Sequence, residues 1–345
     1  MKKFTKIRKW MIGLLLCVAL CGYAPVVVQA ADLKTELSLL SKKTVVFHKA
    51  DGSVKTKKTD FKGRVTIPAN KNPKGGTLLG WSDKPNQSKN PKYQAGQVIQ
   101  VKKSTTHLYA VVYNWEQEPD VRVDKLAKNL SQYSKIIWVG DSRTHFLKRT
   151  LLEEYGESVF SKVSFVCKSG EGLSWFQQTG EKMLKQEIAA AQAGKDTRPV
   201  AVIFNLGVND LSTRNSVGAV NAKSVAKRYT SYMNKLGKKL SAPNCKLFYM
   251  SVNPVNTAMK PTRKEADLRY FNDTLKEKLS NQFQWIDTYN YLMKYGYSTH
   301  NEFKGNIDDG VHYSMRTSKR IYKYCMRMIG QYYYSTFPVC DTMDS

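Results

Sequence analysis

Three short blocks of this chain carry side chains that could do acyl chemistry together: Gly140-Asp141-Ser142, Gly207-Val208-Asn209-Asp210 and Asp309-Gly310-Val311-His312. A serine hydroxyl is a weak nucleophile at neutral pH and needs a base within hydrogen-bond reach. His312 has the pKa range for that task. Asp309, three residues earlier, would hold the imidazole in one tautomer and stabilise the imidazolium that forms when the proton moves. That spacing lets acid and base share one tight loop, with Gly310 easing the turn. Singly, each block has a plainer explanation. Asp309 could bond its own loop backbone, and Gly207 and Asn209 could simply turn the chain after a buried strand.

The elements that must position these blocks are legible in the apolar pattern. From Lys135 onward, apolar runs fall at Ile136–Val139, Val163–Cys167, Val200–Leu206, Lys246–Val252 and Phe283–Ile286. Helically spaced stretches lie between them, at Leu173–Ala193, Val217–Leu240 and Arg263–Leu279. Five strands alternating with helices predict an α/β fold, a flavodoxin-like three-layer αβα sandwich around a parallel sheet covered on both faces. Such sheets carry their sites at the carboxyl ends of the strands. The first strand ends in Ser142, the second runs into Lys168-Ser169-Gly170-Glu171-Gly172, the third into Asn209, and the fifth leads towards Asp309 and His312.

Ser, Gly, Asn and Asp-x-x-His in this order resemble the blocks of the SGNH (GDSL-like) hydrolase superfamily, over about 200 residues from Lys135 to the C-terminal helix. The Gly-x-Asn-Asp and Asp-x-x-His blocks match that family residue by residue. The second block is looser: Gly170 fits the family glycine best by position, and Gly172 stays open. The resemblance implies serine-dependent ester cleavage, with Ser142, Asp309 and His312 as the catalytic residues. The backbone N–H groups of Ser142 and Gly170 and the Asn209 amide would form the oxyanion hole, one such donor being worth about 3 kcal/mol. Arg143 stands where the familiar pattern has leucine. As a cation in a helix's first turn it opposes the dipole, so it is either a contact for an anionic or acylated sugar or a solvated arginine. Trp175 and Tyr313 flank the site in sequence and either stack on a sugar ring or fill the core. No His, Cys and carboxylate grouping has zinc-site spacing and no phosphate loop is present, so neither a metal nor another cofactor is expected.

The remainder of the 345 residues bears on context. A formal charge of +27 points to anionic partners and says nothing of fold. Residues 1–30 have the basic start, apolar run and small-residue end (Val28-Gln29-Ala30) of a secretory signal peptide. The alternative is an uncleaved anchor, because the apolar stretch approaches a spanning length of about 20 residues. Pro25 favours cleavage, which would leave no stable membrane span. After a connector at 31–42, residues 43–114 show short alternating runs between Gly, Pro, Asn and Lys, a small β-rich module. Leu78-Leu79-Gly80-Trp81-Ser82, Tyr93-Gln94-Ala95-Gly96 and Leu108-Tyr109-Ala110-Val111 there resemble the internalin-type B-repeat of bacterial surface proteins. Between Thr44 and Tyr113 stand 13 Lys and Arg against 3 Asp and no Glu. Such a surface suits an anionic cell-surface polymer, or belongs to a spacer whose lysines face water. No nucleic-acid motif is visible. Residues 115–134 read as a linker with a short helical pattern at Val123, Leu126 and Leu130, residues 135–336 as the hydrolase domain and residues 337–345 as a tail. Four cysteines remain after the signal segment; Cys325 and Cys340 are the better candidate pair, while Cys167 and Cys245 sit inside apolar strand-like runs, where free thiols are at least as well explained.

The sequence thus predicts a secreted or surface-associated serine esterase acting on acyl esters, O-acetyl groups on glycans foremost. An O-acyltransferase would use the same residues, and a non-catalytic surface binder is the third class.

Overall fold

The computed structural model describes residues 42–69, 72–121, 130–213, 220–241, 244–256 and 262–336. The expected signal segment, the helical pattern at Val123 and Leu126, and Cys340 lie outside them. Among the described residues no helix is long and apolar enough to cross a membrane.

Six strands come first: β1 (Thr44–His48), β2 (Val54–Lys58), β3 (Arg64–Thr66), β4 (Gly76–Ser82), β5 (Val98–Gln100) and β6 (Thr105–Asn114). Four of them form a sheet in the order β2-β1-β6-β4, and β3 pairs with β5. The alternation in β1 turns Val45 and Phe47 inward, where they meet Val65, Ile67, Trp81, Ile99, Val101 and Leu108 in a small core. The run Val54-Lys55-Thr56-Lys57-Lys58 has no apolar alternation, and the sequence gives no strand there. It forms an edge strand with all five residues exposed, and lysines on an edge discourage pairing with another chain.

The second part is the expected αβα sandwich. Strands β7 (Lys135–Gly140), β8 (Val163–Cys167), β9 (Val200–Asn205), β10 (Cys245–Met250) and β11 (Phe283–Ile286) form one sheet in the order β11-β10-β9-β7-β8, every pair parallel. This is the flavodoxin-like doubly wound order, whose direction of winding reverses between β7 and β9. The longer helices are α1 (Ser142–Tyr155), α2 (Glu181–Gln192), α3 (Ala222–Ser241), α4 (Glu265–Lys278), α5 (Thr288–Tyr295) and α6 (Met315–Thr336). The helix expected over Leu173–Ala193 begins as one turn at Leu173–Trp175 and passes through a π turn at Phe176–Gly180 before α2. Alternate residues of β7 feed two separate cores. Ile137 and Val139 pack with Leu206, Tyr229 and Phe271 on one face, and Ile136 and Trp138 with Leu292, Tyr322 and Ile329 on the other.

Leu79, Val111 and Tyr113 of the β-rich part join this second core, so the two parts share buried apolar surface. Just beyond β6, Glu118 is buried and accepts hydrogen bonds from Ser314 Oγ at 2.8 Å, from Thr317 Oγ1 and from Arg320 Nη1 at 3.1 Å. The stretch expected as a charged linker therefore begins with a buried carboxylate that anchors α6. Cys325 lies on the inner face of that helix as a free thiol, its Sγ 3.5 Å from Met250 Sδ. That thiol is buried in the core, and Cys340, the other half of the candidate pair, lies outside the described residues. Removing the Glu118 carboxylate would strand the buried Arg320 charge, which typically costs about 3–5 kcal/mol. Glu118→Ala should accordingly lower the urea midpoint with little change in the slope of the transition.

Candidate active site

Register places the ends of β7, β8 and β9 side by side, with Gly140 opposite Cys167 on one side and Asn205 on the other. The site therefore lies at the point where the winding reverses. Asp141 caps α1, its Oδ1 accepting from Arg143 N at 2.9 Å. An added Cβ on Gly140 would lie 2.0 Å from Thr144 Oγ1, so only glycine lets the first turn of the helix close onto the strand end. Asp141 is fully buried, and that burial pushes its carboxyl up to about 6 despite the neighbouring Arg143 charge.

Ser142 opens the helix, and its Oγ lies 2.8 Å from His312 Nε2. On the far side of the ring, Nδ1 lies 2.6 Å from Asp309 Oδ2. A carboxylate only accepts, so Nδ1 carries the proton and Nε2 is left to accept from the serine hydroxyl. The other Asp309 oxygen accepts from the backbone N–H groups of Val311 and His312, both at 2.9 Å, which locks the carboxylate to its own loop. Burial opposes ionisation of Asp309. The hydrogen bonds and charge of His312, with the Lys304 ammonium at 2.7 Å, outweigh it and hold the carboxyl far below its usual range. For His312 the largest effect is also burial, which lowers its pKa. Asp309 pulls the other way, and the Lys304 and Arg143 charges add to the lowering. The imidazole is therefore neutral, with Nε2 unprotonated, at neutral pH.

Gly170 adopts φ +81°, a conformation open to glycine at little cost, in the loop after β8. Asn209 Nδ2 donates to Glu171 O at 2.8 Å, and Asn209 Oδ1 accepts from Arg263 Nη2 at 3.0 Å. Because a guanidinium only donates, Arg263 fixes which way the amide faces. Asp210 accepts from Tyr229 Oη at 2.5 Å and from Leu173 N, tying the second block to the third. Gly170, Gly172, Asn209 and Asp210 line a cleft of about 660 Å³ together with Ser169, Glu171, Ser174, Ser212, Val220, Asn221, Ser224, Val225 and Arg228; Ser142 and His312 are not among its lining residues. Gly172 has a steric duty as well, since an added Cβ would lie 2.0 Å from Asp210 Oδ2.

Three expected substrate contacts are placed elsewhere. Arg143 is neither solvated nor turned to the cleft. It is buried, with Nε 3.0 Å from Val311 O, Nη1 2.9 Å from Asn253 O and Nη2 3.0 Å from Pro254 O. Tyr313 is buried beneath that guanidinium at 5.0 Å and donates its hydroxyl to Pro254 O. Trp175 belongs to the core that contains Phe176 and Phe204. Both aromatics fill space because the turns that carry them pack against the sheet. The sequence reading missed Lys304, Arg263 and Phe146. Phe146 meets the His312 ring edge-on at 4.9 Å, and its place four residues after Ser142 on one helix face was a signal available in the sequence. Lys304 and Arg263 have no such signature in a chain this rich in basic residues.

Residues 135–328, more than half of the chain, match the family described as "Protein of unknown function (DUF459)", and the protein belongs to that family. No curated protein matches the chain. Among solved structures, a lipase/acylhydrolase from Enterococcus faecalis is 15% identical with a TM-score of 0.38, covering 57% of this chain and 96% of that one. A GDSL-like lipase from Bacteroides thetaiotaomicron is 17% identical at TM-score 0.39, covering 63% and 92%. An acetyl xylan esterase is 15% identical at TM-score 0.37, covering 59% and 98%.

The electrostatics can be checked directly. An NMR titration of the His312 imidazole should give a midpoint below the ordinary value of about 6.5. Lys304→Met should move that midpoint up, because it removes a charge that disfavours the imidazolium while leaving Asp309 in place. A midpoint unmoved or lowered by the substitution would contradict the arrangement.

Proposed function

We propose that this protein is a serine ester hydrolase of the SGNH type, with Ser142 as nucleophile, His312 as general base and then acid, and Asp309 as the group that orients and stabilises the imidazole. The observation that carries the reading is the continuous chain from Ser142 Oγ through both ring nitrogens of His312 to Asp309. In acylation, the serine proton passes to His312 Nε2 as Oγ attacks the ester carbonyl. In this reading the N–H groups of Ser142 and Gly170 and the second N–H of the Asn209 amide, whose first donates to Glu171 O, would stabilise the oxygen that becomes negative. Collapse of the tetrahedral intermediate returns the proton to the departing alcohol and leaves an acyl-enzyme. Water, activated by the same imidazole, then releases the acid.

The lining of the cleft supports a substrate class. Its hydroxyls, amides, carboxylates and single guanidinium outnumber two valines, Val220 and Val225, and it meets the proposed site through Gly170 and Asn209. That composition suits a short acyl group on a hydrophilic, polyhydroxylated alcohol better than a long acyl chain, so we place O-acetylated glycans foremost. The amino-terminal segment, read as a signal peptide, puts the enzyme outside the cell or on its surface. The basic β-rich residues, with their resemblance to a B-repeat, are proposed to hold it near an anionic polymer. The same groups would support transfer if a sugar hydroxyl replaced water in the second step, and product analysis with an acceptor sugar present separates the two outcomes.

The test is turnover of an aryl acetate and covalent labelling by a serine-directed phosphonate. Wild-type protein should do both, and Ser142→Ala should lose labelling and about 10^4-fold or more in kcat. A wild type that neither turns over nor labels would sink the esterase reading, and full activity in Ser142→Ala would sink the assignment of the nucleophile.

A further inference from the structure

Gly310 lies between Asp309 and His312, and its backbone N–H and carbonyl are held by Asp308 and Asn256, two residues whose side chains converge on one asparagine of the β-rich part. Its N–H donates to Asp308 Oδ1 at 2.9 Å, and its carbonyl accepts from Asn256 N at 2.8 Å. The other Asp308 oxygen, Oδ2, accepts from Asn72 Nδ2 at 2.5 Å. Asn256 Nδ2 donates to Asn72 Oδ1, which also accepts from Leu78 N at 2.8 Å at β4. Thr299 Oγ1 donates to Asp308 Oδ1 at 2.7 Å and completes the cage. The pattern is chemically closed. The carboxylate demands a donor, so the Asn72 amide nitrogen faces Asp308 and its oxygen faces the two N–H donors.

We infer that Asn72 is a positioning residue for the catalytic loop, and that the β-rich part therefore completes the active site and does more than tether it. Shared apolar packing at Leu79, Val111 and Tyr113 already holds the two parts together. Asn72 adds a directional link at the one loop whose placement sets the Ser142–His312 distance. A shift of about 1 Å in a reacting group can cost on the order of 100-fold in rate. The inference rests on the esterase reading for its kinetic consequence and on geometry alone for its structural one.

The experiment uses the full chain and four variants: Asn72→Ala, Asn72→Asp, Asp308→Asn, and the double variant Asn72→Asp/Asp308→Asn. The double variant reverses donor and acceptor across the same contact and keeps the wild-type net charge. Each of the three single substitutions should lower kcat and the rate of phosphonate labelling by about 10- to 100-fold with KM within about twofold of wild type. Each should also move the His312 imidazole resonances, and the double variant should recover both readouts. Far-UV circular dichroism and urea midpoints establish that the variants fold. If Asn72→Ala labels at the wild-type rate with unmoved His312 resonances, or if the folded double variant recovers neither readout, the inference is overturned. A wild type that fails to label sinks the esterase reading instead, and the His312 resonances still decide the positioning role.

Discussion

The Arg143 guanidinium is the contact on which the geometry of the site depends. Arg143 follows the serine, and the carbonyl that its Nε reaches belongs to Val311, the residue before the histidine. One buried side chain thus ties the neighbour of Ser142 to the neighbour of His312 across 168 residues of sequence, while its other two nitrogens grip the chain leaving β10 at Asn253 and Pro254. A guanidinium can serve three carbonyls at once because its donors are spread in a rigid plane and carry a permanent charge. Tyr313 closes its face. The cation's unfavourable place in the first turn of α1 is offset by these carbonyl partners.

Around that clamp, the remaining polar groups divide into those that set charge and those that set direction. His312 foremost, with Lys304 and the loop N–H groups, keeps Asp309 ionised against its burial, and the carboxylate keeps the imidazole in one tautomer. Arg263 turns the Asn209 amide, and Asp210 joins the loop after β8 to the loop after β9. Asp141 accepts from a helix N–H, that of Arg143. Its raised pKa belongs to a burial cost offset by capping the helix that presents Ser142. A perturbed pKa beside a nucleophile is thus not by itself a sign of a proton carrier.

The β-rich residues are part of this economy. Tyr113 lies in the core under the large sheet, Glu118 holds the start of α6, and Asn72 reaches the loop between Asp308 and His312. An arrangement that reads along the chain as module, linker and catalytic unit becomes, in space, one loop braced from two sides.

Much of the architecture was legible without coordinates. Strands buried on both faces are continuous apolar runs, so all five strands of the large sheet and their alternation with helices could be read directly, as could the blocks that end them. The exposed edge strand Val54–Lys58 could not, because it is held by backbone pairing with β1 and not by burial of side chains. The serine, asparagine, aspartate and histidine were visible as types in a fixed order. Their hydrogen-bonded contact was not, because the distance between residues 142 and 312 depends on strand order and on the long-range contacts that hold the loop of His312. The neighbours were read least well. Arg143 read as a sugar contact or a solvated residue and is buried, and Trp175 and Tyr313, open between stacking on a sugar and filling the core, fill the core, since burial is decided by what packs from elsewhere in the chain. The sequence by itself determined which groups stand at the ends of which strands. Only the tertiary structure decided which of them meet, because a lysine, an arginine or an asparagine gains its role from a partner that local pattern cannot name.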